Sequence, residues 1–280
     1  MTTVGGGAHR GGAHRIGAHG SRAHGSEAPA SARERDSQEG VSSGVFAATL
    51  REWAHAGPGR PVCVLQAGCL APVRELGLRE LAESGHEVSV SMVDGDQPPV
   101  QAVLKQVRDA YDDVMVGDLR TIPLQPRGFD VVYCGHLLER IRHVEVVLDR
   151  LVGALRPGGL LLIRVGDRDS AWALLDRRLP YPLRHAIWQR LHPGVPGPFP
   201  AVYERLASER GMASYALLRG LVIAQRAAER TLPDSPRRLS SSVRVTCAVI
   251  ARLSRGRYDD SHDELLYVIR KPTDRFARVV

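Results

Sequence analysis

Short apolar runs separated by turn residues fill the middle of the chain, and their spacing predicts alternating strands and helices. Phe46 to Trp53 reads as a lead-in helix broken by Gly57-Pro58-Gly59. Val62-Cys63-Val64-Leu65 leads into Gln66-Ala67-Gly68, the pattern of a buried parallel strand entering a turn. Leu76, Leu78, Leu81 and Ala82 give a helical face, and Glu87 to Val93 gives a second strand that stops at Asp94. Pro98 and Pro99 suit the first turn of a helix whose apolar face is Val100, Val103, Leu104 and Val107. Val114-Met115-Val116 is a third strand and Phe129 to Cys134 a fourth. Val144, Val147, Leu148, Leu151 and Leu155 keep helical spacing up to Arg156-Pro157-Gly158-Gly159, and Leu160 to Val165 is a fifth strand. The alternation predicts an α/β domain with a parallel, right-handedly connected sheet.

Beyond Gly166 the pattern loosens. Helical pieces are predicted over 171–178, 183–191 and 201–218, with Pro193-Gly194-Val195-Pro196-Gly197-Pro198 between the last two. A sixth strand is expected at 220–226, an amphipathic helix at about 240–254 and a closing strand at 264–271 that joins the first sheet. Residues 1–44 carry almost no large apolar side chain and are expected to be a disordered Gly/Ala/His-rich tail, because they bury too little surface to offset ordering entropy. The expected organisation is therefore this tail followed by one domain over 45–280, with a core at 60–166 and a helical lid or acceptor insertion at about 167–215.

Charge changes this picture in one respect. The formal net charge of +7 is uneven: residues 1–60 sum to +2, 61–167 to −4 and 168–280 to +9. The basic excess thus belongs to the C-terminal part, which favours an anionic acceptor. No nucleic-acid recognition module is evident, so nucleic acid is not the expected partner. The cysteines, Cys63, Cys69, Cys134 and Cys247, show neither CxxC spacing nor a disulfide pattern, so no metal is expected and a reducing cytoplasm fits. No run of about 18 apolar residues is present to span a membrane, and the expected location is cytoplasmic.

Candidate chemistry gathers where strands end, since ligands of open α/β sheets bind outside the carboxyl ends of the strands. Four such segments stand out: Gln66-Ala67-Gly68-Cys69, Asp94-Gly95-Asp96, Gly117-Asp118-Leu119 and Cys134-Gly135-His136. A small residue after the first strand lets backbone approach a ligand. A carboxylate after the second, Asp94 or else Asp96, can accept from both ribose hydroxyls, and Asp118 can accept from an exocyclic amine.

In this order the segments resemble the class I S-adenosylmethionine-dependent methyltransferases. The likeness is carried by Val62 to Cys69, Val93-Asp94, Gly117 to Leu124, Phe129 to Val132 and Leu155 to Leu160, and the strand at 264–271 is similar to that family's last one. The resemblance implies a Rossmann-like seven-stranded methyltransferase sheet with its last strand antiparallel and a helical insertion between strands five and six. It also implies S-adenosyl-L-methionine as cofactor, held by Gln66, Ala67, Gly68, Cys69, Asp94, Gly95, Asp118, Leu119 and Cys134. A methyl group would pass to an oxygen, nitrogen or carbon of a small-molecule acceptor.

The first loop departs from the family pattern. Gln66 replaces its acid, and Leu70 and Pro72 stand where later glycines are usual, adding bulk where backbone would touch the cofactor. A catalytically silent binding protein of the same fold is the alternative reading. If the chain is an enzyme, His136 is the candidate catalytic base, backed by Glu139, Asp167 and Asp169, with Trp172, Tyr181, Trp188 and Tyr203 as candidate pocket walls.

Overall fold

The computed structural model describes residues 42–57, 59–71, 73–191, 194–230 and 238–273. Of the tail expected over 1–44, residues 1–41 lie outside the described residues, as does Pro72, whereas residues 42–44 are not tail but open the first helix, Ser42–His55.

Seven strands form one sheet: β1 (Val62–Ala67), β2 (Val88–Asp94), β3 (Asp113–Val116), β4 (Phe129–Gly135), β5 (Leu155–Gly166), β6 (Val222–Glu229) and β7 (Glu264–Arg270). Their spatial order is β3-β2-β1-β4-β5-β7-β6. The first five run parallel, while β7 lies antiparallel between β5 and β6. The α/β alternation is the one expected from the chain's pattern, and the seven strands with an antiparallel last one are those the family resemblance implies.

The central strands read as unbroken apolar runs because both faces of the sheet are covered. Leu65, Val132, Ile163 and Tyr267 pack beneath α4 (Val144–Ala154) and α7 (Glu209–Leu218). The alternate residues Val64, Val131, Leu162 and Val268 face α1 (Ser42–His55) and α2 (Leu78–Glu83). At one side α3 (Pro98–Val107) buries Val100, Val103 and Leu104 against Met92 of β2. The Arg156-Pro157-Gly158-Gly159 segment belongs to β5 rather than to a break before it. Glycine is required at Gly159, since a Cβ there would lie 2.6 Å from the Asp130 carbonyl oxygen.

Between β5 and β6 the chain forms α5 (Ala171–Arg178), α6 (Tyr181–Leu191) and α7, and α8 (Arg238–Leu253) follows β6. The helix expected over 201–218 is shorter than its periodicity predicts. Tyr203 has φ +48°, the 3₁₀ turn Arg205–Ala207 intervenes, and the Ser208 hydroxyl accepts from Gly211 N–H to start α7 afresh. Similarly, the strand expected at 220–226 begins later. Gly220, with φ +63°, and Leu221 close α7 through N–H bonds to the Leu217 and Ala216 carbonyls, a C-terminal cap that occupies both residues.

Candidate functional site

The carboxyl ends of β1, β2 and β4 meet closely. Gly68 leaves β1 with φ +96° and donates its N–H to the Val93 carbonyl at 2.9 Å. A Cβ on Gly68 would stand 2.7 Å from the Gly135 carbonyl oxygen and 3.3 Å from Arg140 Nη2. The smallness of Gly68 therefore serves contact with the chain's own β4 end. Gln66 and Ala67 are fully buried. The Gln66 amide donates to the carbonyls of Gly68 (2.8 Å) and Ala71 (2.7 Å) and accepts from Tyr111 Oη, so it braces the loop from inside.

Asp94, the last residue of β2, is only 1% exposed. Its Oδ1 accepts from Gly95 N–H at 2.7 Å, and its Oδ2 accepts from Cys69 N–H at 2.8 Å and from Arg140 Nη2 at 2.7 Å. Arg140 is equally buried, and its Nε donates to the His136 carbonyl at 2.7 Å. The Phe199 ring lies over its guanidinium at 5.0 Å. Phe199 packs in one cluster with Cys69, Met92, Val100, Val103 and Leu104, and Leu70 and Trp188 border it. Burial, and then the Asp94 charge, push the Cys69 thiol up to about 12, so it is a neutral packing group.

The other expected positions divide. Asp118 is exposed and forked by Arg120 (2.8 Å), whose hydrogen bonds hold the carboxyl down at about 2. Leu119 turns into the core, and Cys134 is fully buried there, its thiol raised by desolvation. Gly95 remains partly accessible, and Asp96 is exposed and bound to Gln101.

His136 has φ +50°, with Nδ1 3.1 Å from Glu139 Oε1 and Nε2 3.6 Å from Glu264 Oε1. Burial opposes charge on the ring, but Glu264 and Glu139 outweigh it and hold the His136 pKa above its ordinary value. Glu264 also accepts from Arg164 Nε (2.7 Å), whose Nη1 donates to Glu75 Oε1 (2.8 Å), and Tyr133 Oη donates to Glu75 Oε2 (2.7 Å). Asp167 binds His262 at 3.1 Å instead of His136, and Asp169 is exposed. Of the candidate walls, Tyr203 and Trp188 lie over this end of the sheet, Trp172 packs on α8, and Tyr181 is exposed.

Three contributors escaped sequence reasoning. Arg140 resembles any solvated arginine in a loop, Phe199 follows a Pro/Gly stretch that reads as a linker, and Glu264 opens an apolar closing strand. The bulky Leu70 was the available signal that something apolar fills this loop.

The sequence places an expected nucleoside position at the ends of β1 and β2. In this conformation Asp94 is buried and three of its roughly four acceptor positions are taken by Arg140 and two backbone N–H groups, while Phe199 covers the arginine, so a ribose does not reach both of its oxygens. A cavity of about 590 Å³ lies elsewhere, on α8, lined by Val245, Ala248, Val249, Ala251, Arg252 and Asp260. No group of three or more metal-binding side chains occurs among the described residues, and no described helix is long and apolar enough to cross a membrane.

Comparison with known proteins adds a match over part of the chain. Residues 65–163 match the model of a methyltransferase domain. Comparison with curated proteins finds no match. Similar solved structures include Haemonchus contortus phosphoethanolamine N-methyltransferase 2 in complex with S-adenosyl-L-methionine, at 17% identity and TM-score 0.47, covering 82% of this chain and 53% of that one. This chain therefore spans about half the length of the Haemonchus protein. An S-adenosylmethionine-dependent methyltransferase from Mesorhizobium loti is 16% identical (TM-score 0.44; 80% and 96% covered), and the [4+2]-cyclase SpnF is 14% identical (TM-score 0.46; 81% of each).

Proposed function

We propose that this chain, whose residues 65–163 match a methyltransferase domain, is a class I S-adenosylmethionine-dependent methyltransferase and methylates a small molecule enclosed beneath the segment after β5. When bound, the family's cofactor supplies an electrophilic methyl group on a sulfonium. The chain's own task is to position the acceptor, exclude water and handle its proton.

The observation that carries the acceptor class is the cap. The segment from α5 to Tyr203 is stitched onto the strand-end loop: Val202 and Tyr203 N–H both donate to the Glu139 carbonyl, and Arg184 joins Asp176 to the Phe199 carbonyl. A cap tied down this closely suits an enclosed molecule better than a polymer threaded across the sheet. We take 45–280 as one domain with this cap as its lid. His136 is the side chain we assign to the acceptor's proton; because Glu264 and Glu139 raise its pKa, its basic form is reached at higher pH than for a free histidine.

The positive sum of residues 168–280 supports an anionic acceptor. The cap arginines nearest the site are already engaged, Arg184 by Asp176 and Arg177 by backbone carbonyls and the Tyr203 ring. An anion must therefore compete with these partners.

The deciding experiment incubates the full chain with methyl-labelled S-adenosylmethionine and a panel of neutral, cationic and anionic small acceptors, alongside bulk RNA and protein. Label in a small-molecule product is expected, with anionic members preferred at low salt. Label confined to macromolecules overturns the reading. Ligand binding without any transfer favours the silent binding protein, which the spent Asp94 carboxylate specifically supports.

A further inference from the structure

We propose that the chain closes its own nucleoside position: Arg140 stands in for the ribose on Asp94, Phe199 seals it, and a nucleoside enters only after the 195–203 segment lifts. This rests on reading residues 65–163 as the cofactor domain.

The first support is chemical. A ribose offers two neutral hydroxyl donors to a carboxylate, whereas Arg140 offers a charged N–H at 2.7 Å. Charge-assisted hydrogen bonds are roughly twice as strong as neutral ones. A neutral ribose therefore does not displace Arg140 from a buried Asp94 while the guanidinium stays in place.

The second support is packing. Leu70, Cys69, Phe199 and Trp188 belong to or border one apolar cluster with Met92, Val100, Val103 and Leu104. The Phe199 ring packs on the Arg140 guanidinium and meets Trp188 edge-on at 5.8 Å. Leu70, out of place as a backbone-approach residue, is in place as part of this seal.

The third support is how the segment is held. Trp188 Nε1 donates to the Val195 carbonyl (3.0 Å), Arg184 Nη2 to the Phe199 carbonyl (2.6 Å), and Val202 and Tyr203 N–H to the Glu139 carbonyl (2.9 and 2.8 Å). Glu139 immediately precedes Arg140. Lifting the segment thus pulls on the residue beside the arginine, which couples release of the seal to release of Asp94. Truncating Phe199 removes the ring from the seal without cutting one of these bonds, since it contributes only a backbone carbonyl to them.

The test titrates S-adenosylhomocysteine calorimetrically into the full chain, Phe199→Ala and Arg140→Gln, and follows Trp188 emission by difference against Trp188→Phe. Phe199→Ala and Arg140→Gln are expected to bind at least tenfold more tightly than the natural chain. Saturating the natural chain is expected to move Trp188 emission to longer wavelength as the ring leaves its partners. If the natural chain binds as tightly as Phe199→Ala and Trp188 does not respond, the seal is overturned while the cofactor reading stands. If all three folded proteins fail to bind, removing the seal admits nothing, and both readings fall. Should Arg140→Gln not fold, Phe199→Ala decides, because it leaves every partner of Asp94 in place.

Discussion

Two buried ion clusters sit a few residues apart at the carboxyl ends of the strands, and they are built on opposite plans. On the β1–β2 side one carboxylate, Asp94, meets one guanidinium, Arg140, and two backbone N–H groups. On the β4–β5–β7 side two carboxylates, Glu75 and Glu264, share Arg164, while His136 stands between Glu264 and Glu139. The first cluster pairs one charge of each sign. In the second, Glu264 and Glu139 both favour a proton on His136. One side is therefore a lock and the other a titrating site.

Arg164→Met breaks this comparison most severely. It leaves Glu75 and Glu264 buried without their shared cation, a loss in the range of about 3–5 kcal/mol for removing one partner of a buried pair. Urea denaturation should place it at or beyond the upper end, because two carboxylates lose one shared cation; a loss below about 1 kcal/mol would mean that their remaining partners suffice. Arg140→Met should cost about 3 kcal/mol, at the lower end, since Cys69 and Gly95 N–H still satisfy Asp94. The ordering of these two variants tests whether the clusters differ as described.

The pH dependence sharpens the contrast. His136 has a folded pKa above its unfolded value of about 6.5, so its stabilising contribution is complete below that value and disappears as pH rises through the folded pKa. The stability of the natural chain relative to His136→Gln should therefore shrink from pH 6 to pH 9. Growth of that difference with pH would reverse the assignment. Arg140→Gln should show no comparable slope over the same interval.

The smallest effect is expected at the exposed end of β3. Arg120→Ala should leave the melting temperature unchanged, while NMR titration should show the Asp118 carboxyl rising from about 2 towards the ordinary value near 4. An unfolding shift there would show that this solvent-exposed pair carries structural weight.

How much of this was legible in the chain depended on range. Val62 to Gly68, Glu87 to Asp94 and Phe129 to Gly135 announce strands and their exits, because apolar runs and turn residues act through neighbours a few positions away. The same signals misjudged 201–218, where hydrogen bonds to Glu139 outweigh helical periodicity. They also located Asp94 and His136 at strand ends but could not say what each would touch.

The amino-acid sequence alone determined the alternation of elements, the two-sided burial of the central strands and the four loops in which chemistry could lie. Tertiary structure alone decided that Asp94 is spent on Arg140, 46 residues away, and that Arg164 bridges Glu75 and Glu264, the latter 100 residues away. The reason is physical: backbone preference and hydrophobic spacing are local, whereas the partner of a buried charge is whatever opposite charge the closed sheet brings within about 3 Å, and a charge buried without one is too costly to keep.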